Sequence, residues 1–310
     1  MEKENPMLEL HTSEQAAPPL PAAWLYVPAN RPALWAKALS SAAGALVIDL
    51  EDAVPAPEKP QARANLRQWL LERAQGQPAE DDPSIWVRID PTYLTADLKT
   101  VMDGTAPLCD GVMLAKTGLD TMAQLEELTC GALPVVCLIE SAAALRDLDE
   151  IARFASIATF GIGEVDLLAD LRISRTATTT AAIDAVRLRI VASAAAGGLA
   201  APIAPTSTDF KDLDTFATTT EKMRNLGFRS RTAIHPKQCP VINAVFTPDE
   251  EQITAARRIV ELSDAAAGGV TLDDSGRLID AAVVRESREI LQRAGTADPQ
   301  HSPDTPKRSY

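Results

Sequence analysis

Eight short apolar runs punctuate the chain, each followed by a stretch of helical character, and the runs end one after another in charged residues. They are Leu25-Tyr26-Val27, Ala45 to Ile48, Ile85-Trp86-Val87, Val112-Met113-Leu114, Val135 to Ile139, Ile157 to Phe160, Ala201-Pro202-Ile203 and Thr232-Ala233-Ile234. Continuous apolar runs, as opposed to alternation, mark parallel strands covered on both faces. Apolar positions at helical spacing predict helices through Leu119, Met122, Leu125 and Leu128, and through Leu213, Phe216, Met223 and Leu226. Thr247-Pro248-Asp249-Glu250 predicts a capping box with proline at the first helical position. The alternation predicts an α/β fold, a (β/α)8 TIM barrel, over residues 22–266. Beyond it, Gly269 to Leu272, the polar Asp273 to Gly276, and Arg277 to Asp280 predict a β-hairpin, followed by a helix from Ala281 to Arg293. Hairpin and helix, residues 267–295, form an extension outside the barrel, and residues 1–21 and 296–310 are expected to be disordered tails.

A chain of 310 residues suits one such domain with additions, since a barrel of this kind uses roughly 250. The net charge of -13 argues against a surface that tracks nucleic-acid phosphates. The first twenty residues lack the basic and apolar regions of a secretion signal, and no stretch is long and apolar enough for a membrane span, so a cytoplasmic location is expected. Cys109, Cys130, Cys137 and Cys239 stand far apart without C-x-x-C spacing, and read as reduced, mostly buried thiols.

The charges at or just after the runs are Arg31, then Asp49, Glu51 and Asp52, then Arg88, Lys116, Glu140, Asp166 and His235. In a parallel barrel the C-terminal strand ends build the active site, so these should converge. His235 is the one histidine outside the expected tails, which argues against a His-rich zinc centre and a Ser-His-Asp triad, and the G-x-S-x-G elbow is absent. Phe160-Gly161-Ile162-Gly163 lacks the third glycine of a dinucleotide fingerprint, Asp166 standing in its place. Glu140 and Asp166 close neighbouring strands and could share one hard cation, Mg2+ or Mn2+. Spacing alone leaves another reading open, in which Glu140 caps the helix starting near Ser141 and Asp166 pairs with an arginine. Asp49, Glu51 and Asp52 repel one another unless balanced, and Arg88 is the obvious partner or a clamp for a substrate carboxylate. A purely structural ion-pair network fits the same residues. Lys116 and Arg31 read as anion contacts or as solvated loop charges, and His235 equally as a packing residue.

Leu25 to Pro32, Asp49 to Val54 with Lys59 and Arg63, Val87-Arg88-Ile89, Ile139 to Ala142, Phe160-Gly161 through Asp166-Leu167, Ala233 to Gln238, and Gly276 to Asp280 follow in order. Over residues 22–294 this resembles the citrate lyase β-subunit-like branch of the HpcH/HpaI aldolase and citrate lyase family. The resemblance implies a Mg2+-dependent barrel that cleaves or forms a carbon–carbon bond in a 3-hydroxyacyl thioester of coenzyme A or an acyl carrier, of the citramalyl, malyl or citryl type. It implies Glu140 and Asp166 as metal ligands and Arg88 as the group that steadies the enolate. Glu51 and Asp52 would hold metal-bound waters and orient Arg88, and Arg31, Lys37 and His235 would contact the acyl carrier. Asp280 matches the aspartate that members of the family present to a neighbouring subunit's site, in a homo-oligomer that is a trimer or a multiple of one. A thioesterase activity after condensation is a further option.

Two alternatives remain: a class II aldolase acting on a free hydroxy-oxo acid, and a non-catalytic CoA- or metal-binding subunit. The pyruvate-aldolase branch carries His where this chain has Asp52, which counts against free pyruvate chemistry. The chain departs from the family pattern at Ala22-Ala23, usually Arg-Ser, at Asp90, usually Asn, at Arg172, usually Gly, and at Ala204 to Thr206, which lacks an Asp often found there. Substrate and carrier recognition are where these departures fall.

Overall fold

Eight parallel strands close into a barrel in the computed structural model, which describes residues 20–76, 79, 81–266 and 270–297. The barrel strands are Ala23–Pro28, Ala45–Asp49, Ser84–Ile89, Gly111–Leu114, Val135–Ile139, Ile157–Ile162, Ile203–Ala204 and Ser230–Ala233. Each pairs with the next in sequence, and the eighth closes on the first. Among the described residues no helix is long and apolar enough to cross a membrane.

Two apolar layers explain why the runs looked continuous. Side chains alternate across a strand, so one set faces the barrel interior and the other the surrounding helices. Trp24, Ala45, Val47, Trp86, Met113, Val136, Leu138 and Ile203 pack together as the interior set. Leu46, Ile48, Ile85, Val87, Ile139 and Phe160 pack instead with helix residues such as Leu66, Leu70, Met122 and Ile190. Each fully buried aliphatic side chain of this kind contributes about 1.5–3 kcal/mol. Trp24 and Trp86 meet with ring centroids 4.9 Å apart and fill the lower interior. Gly111 lets them do so, because a Cβ there would lie 2.3 Å from the Trp86 ring.

The expected elements differ from the observed ones in detail. Ala201 and Pro202 stay outside the seventh strand, which is only Ile203–Ala204, since proline has no N–H to give the ladder. The capping box lies two residues later than expected: Asp249 caps the helix Glu250–Ala265 and exchanges hydrogen bonds with Gln252, so Pro248 precedes the cap. The four cysteines are free, but Cys130 is exposed, at a left-handed helix C-cap. Arg172, where the family pattern has glycine, adopts φ +58, a left-handed conformation that costs a non-glycine residue about 1 kcal/mol. The expected tails lie largely outside the described residues; of the first, Leu20 packs on the interior cluster and the Pro21 carbonyl accepts from Trp24 Nε1 at 2.7 Å and Ser230 Oγ at 2.8 Å, and of the second, residues 296 and 297 continue the final helix.

After the barrel, Thr271–Leu272 pairs antiparallel with Leu278–Ile279, and the final helix, Ala281–Ala297, packs on Glu250–Ala265. Gly269, expected to begin the hairpin, lies outside the described residues. Gly276 turns the hairpin at φ +81. Val270, Leu272 and Leu278 on this hairpin are exposed.

Candidate active site

The inward set of side chains changes character at the C-terminal strand ends. Ala45 and Val47 are followed inward by Asp49, Trp86 by Arg88, and Val136 and Leu138 by Glu140. Asp49 and Arg88 are register partners on adjacent strands. Their side chains form a fork: Arg88 Nε donates to Asp49 Oδ1 at 2.8 Å and Nη2 to Oδ2 at 2.6 Å. Asp49 also accepts the backbone N–H groups of Glu51 and Ala53. Nη1 of Arg88 lies 3.1 Å from Glu51 Oε2, and the Tyr26 ring lies beneath the guanidinium, 5.0 Å from its carbon. Burial opposes the charge on Arg88, but the Asp49 carboxylate outweighs it and holds the guanidinium firmly protonated. A guanidinium has five N–H donors, so the fork keeps donors free beyond these contacts.

Lys116 ties this pair to the next strand ends. Its φ is +48, a conformation that costs a lysine energy and persists only where the surroundings impose it. In that conformation its backbone N–H donates to Glu140 Oε2 at 2.8 Å, and its Nζ reaches Glu51 Oε1 at 2.6 Å. Lys59, buried at the start of the helix Lys59–Gln75, donates to the carbonyls of Leu50 and Glu51 and fixes that turn from below.

Glu140 does not cap the helix after it. Ser141 does, accepting from Ala144 N–H at 3.1 Å, and the N–H of Ala142 goes to Asp170. Nor does an arginine among the described residues hold Asp166: Arg175 and Arg187 bind Glu164 of the same helix, Glu164–Asp170, and Asp166 is exposed. Burial pushes the Glu140 carboxyl up to about 7, with Glu51 and Asp166 adding to the rise and the Lys116 N–H and Arg88 opposing it. A raised carboxyl is protonated below its pKa, and a metal must displace that proton. Mn2+ affinity, read by titration calorimetry, should therefore be about tenfold weaker at pH 6 than at pH 8. Equal affinities at the two pH values would mean that Glu140 takes no part in holding the ion.

The donor set suits a hard divalent cation. Asp49, Glu51, Glu140 and Asp166 face Arg88 and Lys116, a surplus of two negative charges. Glu51 Oε2 is buried without a hydrogen bond, free to accept one from a bound water. Among the described residues no three His, Cys, Asp or Glu side chains are gathered to hold a metal by themselves, so Glu140 and Asp166 would need water and substrate oxygens to complete a shell. Gly163 leaves room for Glu140: a Cβ there would lie 2.3 Å from Glu140 Cγ and 2.4 Å from Oε1. Gly163→Ala should weaken Mn2+ binding about tenfold or more while changing the melting temperature little, because a half-buried side chain can move aside. Unchanged Mn2+ affinity would show that the position of Glu140 does not matter.

Of the other residues singled out in the sequence, Asp52 is exposed and makes no hydrogen bond or ion pair among the described residues, and Arg88 is oriented by Asp49 and Glu51. Arg31 and Lys37 are exposed, without side-chain hydrogen bonds or ion pairs among the described residues. His235 stacks on Phe210, centroids 4.9 Å apart and 5° from parallel, and its Nδ1 accepts the Lys237 N–H at 3.1 Å. Asp280 is exposed and caps the last helix, its Oδ1 accepting from Ala282 and Val283 N–H at 2.9 and 3.0 Å. Arg88 is the partner expected for the acid cluster, though the sequence does not say which acid grips it, and the roles of Lys59 and Gly163 were not foreseen. Inward parity with Val47 is the signal that singles out Asp49.

Residues 22–236 match the model of the HpcH/HpaI aldolase/citrate lyase family. The chain belongs to that family. Its relatives include the L-malyl-CoA/beta-methylmalyl-CoA lyase of Cereibacter sphaeroides, 29% identical over 87% of this chain and 93% of the relative. The citrate lyase subunit beta-like protein of Mycobacterium tuberculosis is 31% identical, covering 88% of this chain and 96% of its own. A crystal structure of CitE from M. tuberculosis, in complex with magnesium, acetoacetate and coenzyme A, superposes with a TM-score of 0.69 at 29% identity, covering 90% of this chain and 99% of that one. The named relatives in this family are lyases.

Proposed function

We propose that this chain is a Mg2+-dependent carbon–carbon lyase acting on a 3-hydroxyacyl-CoA thioester of the malyl, citramalyl or citryl type. The observation that carries the reading is the pair Glu140 and Asp166 beside the held fork of Arg88. The malyl-CoA lyase among the relatives and the coenzyme A and magnesium bound by CitE support the thioester and the metal.

Mg2+, or Mn2+ in its stead, held by Glu140 and Asp166 would polarise the hydroxyl and carboxylate oxygens of the substrate. Asp280, reaching in from a neighbouring copy, takes the proton of the 3-hydroxyl. The bond between C2 and C3 breaks, C3 becomes a carbonyl, and the electron pair passes into a thioester enolate. Arg88 meets the charge that develops, because its position is already fixed by Asp49 and Glu51 and needs no rearrangement. A proton returned to C2 releases the acyl-CoA. Condensation runs the same steps backwards. Arg31 and Lys37 keep their charges in solvent for the phosphates of CoA, and the flat face of His235 on Phe210 offers a contact for its adenine. The exposed Val270, Leu272 and Leu278 beside Asp280 are the surface through which copies of the chain would associate, as a trimer in this reading.

The test is a screen of short hydroxy-dicarboxyl-CoA esters with the purified chain and Mg2+, following release of acetyl-CoA or another acyl-CoA. Turnover that needs both the thioester and Mg2+ is expected. Cleavage of the free hydroxy-oxo acid with no thioester requirement would replace this reading with a class II aldolase, and inactivity on every ester would favour a binding subunit.

A further inference from the structure

A second charged cluster shares the helix that carries Asp166, and its balance has the opposite sign. Glu164, 5% exposed, is divided between two guanidiniums. Arg187 gives Nε and Nη2 to its two oxygens at 2.6 and 2.7 Å, and Arg175 Nη2 reaches Oε1 at 2.6 Å. Arg187 Nη1 also donates to Asp184 at 2.9 Å, and the other oxygen of Asp184 pairs with Lys222 at 2.7 Å. Arg231, 4% exposed, donates among the described residues to neutral acceptors, the carbonyls of Pro205 and Phe216 and the hydroxyls of Thr219 and Thr220. The charged groups that face it are Arg187 and Glu164, and burial together with Arg187 draws its pKa down to about 10. Four cations therefore share two carboxylates, Glu164 and Asp184, a surplus of two positive charges in a chain whose net charge is -13.

Arg187 and Arg231 are buried, whereas Arg175 and Lys222 carry the surplus to solvent, where an anion can meet it. Two of the four cations, Arg175 and Arg187, line a cavity of about 370 Å3 with Thr176, Ala177, Thr180 and Ile183, and Lys222 and Arg231 belong to the cluster outside that lining. Arg175 holds Glu164 through one nitrogen and among the described residues keeps its Nε and Nη1 donors free, on a side chain that is 52% exposed. The helix Thr180–Ala196 begins at the same cavity, with its positive end there. Two lining guanidiniums, one of them with planar donors to give, in a cluster of net positive charge suit a dianion with several acceptor oxygens, while Ile183 and Ala177 give an apolar wall. The volume exceeds that of a bare ion and admits a small organic residue.

We propose that this cavity binds the phosphate group of a small phosphomonoester, at a site separate from Glu140 and Asp166. Inorganic phosphate is the probe, added to the full chain at constant ionic strength with chloride as the reference, and its dissociation constant is read by titration calorimetry. Saturable binding is expected in the wild type. Arg175→Gln keeps a donor for Glu164, and Thr180→Glu places a carboxylate at an exposed helix start where the fold tolerates it; each should weaken phosphate about tenfold or more. Arg31→Ala should leave the phosphate affinity unchanged, which separates this cavity from the rim where CoA phosphates would lie. No saturable binding in the wild type, wild-type affinity in either cavity variant, or loss of binding in Arg31→Ala would each overturn the proposal.

Discussion

Arg88→Lys should lower kcat by about a hundred- to a thousandfold while leaving Mn2+ affinity and the melting temperature close to those of the wild type. Lysine keeps the charge, so the loss would isolate geometry. The Arg88 fork meets both oxygens of Asp49 at 2.8 and 2.6 Å and still has donors for a substrate oxygen. An ammonium can face Asp49 or the substrate, and has no planar edge with which to serve both. Single-turnover kinetics on the CoA ester identified by the screen would give kcat, and calorimetry with Mn2+ the metal affinity. Wild-type turnover in Arg88→Lys would remove Arg88 from the chemistry and leave it as a structural partner of Asp49.

Asp280→Asn should be at least as damaging to turnover and should leave metal binding intact. Asparagine caps a helix about as well as aspartate, so the contacts to Ala282 and Val283 survive and only the proposed base is lost. The decisive measurement mixes two dead proteins. In the proposed trimers, assembled from equal amounts of Arg88→Lys and Asp280→Asn chains, with each site drawing Asp280 from a neighbour, about a quarter of the sites would combine an intact Arg88 with an intact Asp280. Activity near that fraction is expected after dissociation and reassembly. No recovery would mean that the base and Arg88 belong to one chain, or that the base lies elsewhere.

What could be read in the sequence, and what could not, follows from the two-sided burial of the strands. Runs such as Val135 to Ile139 announce a buried parallel stave because neither face needs polar residues. The same continuity hides which residues point inward, so Asp49, Glu51 and Asp52 look alike until the strand's parity is known. Once the barrel closes, Asp49 follows Val47 inward to Arg88, Glu51 folds beneath the Lys116 ammonium, and Asp52 turns to solvent. Glu140 and Asp166 stood out because they end neighbouring strand units, a separation that does not depend on parity. Backbone conformation was out of reach: nothing in a lysine announces the left-handed turn by which Lys116 gives its N–H to Glu140. The short seventh strand belongs to the same class, its length set by the missing N–H of Pro202.

The tryptophan pair low in the barrel has a kinetic consequence. Trp24 and Trp86, packed with Ala45, Val47, Met113, Val136 and Leu138, fill the barrel interior next to Asp49 and Arg88, so ligands come to the site from the C-terminal strand ends. Both fragments of a cleaved thioester then leave by the route the parent molecule took in, and the smaller must pass the larger or wait behind it. Whichever fragment departs last will compete directly with fresh substrate for the free enzyme, so inhibition by each product in turn reveals the order of exit.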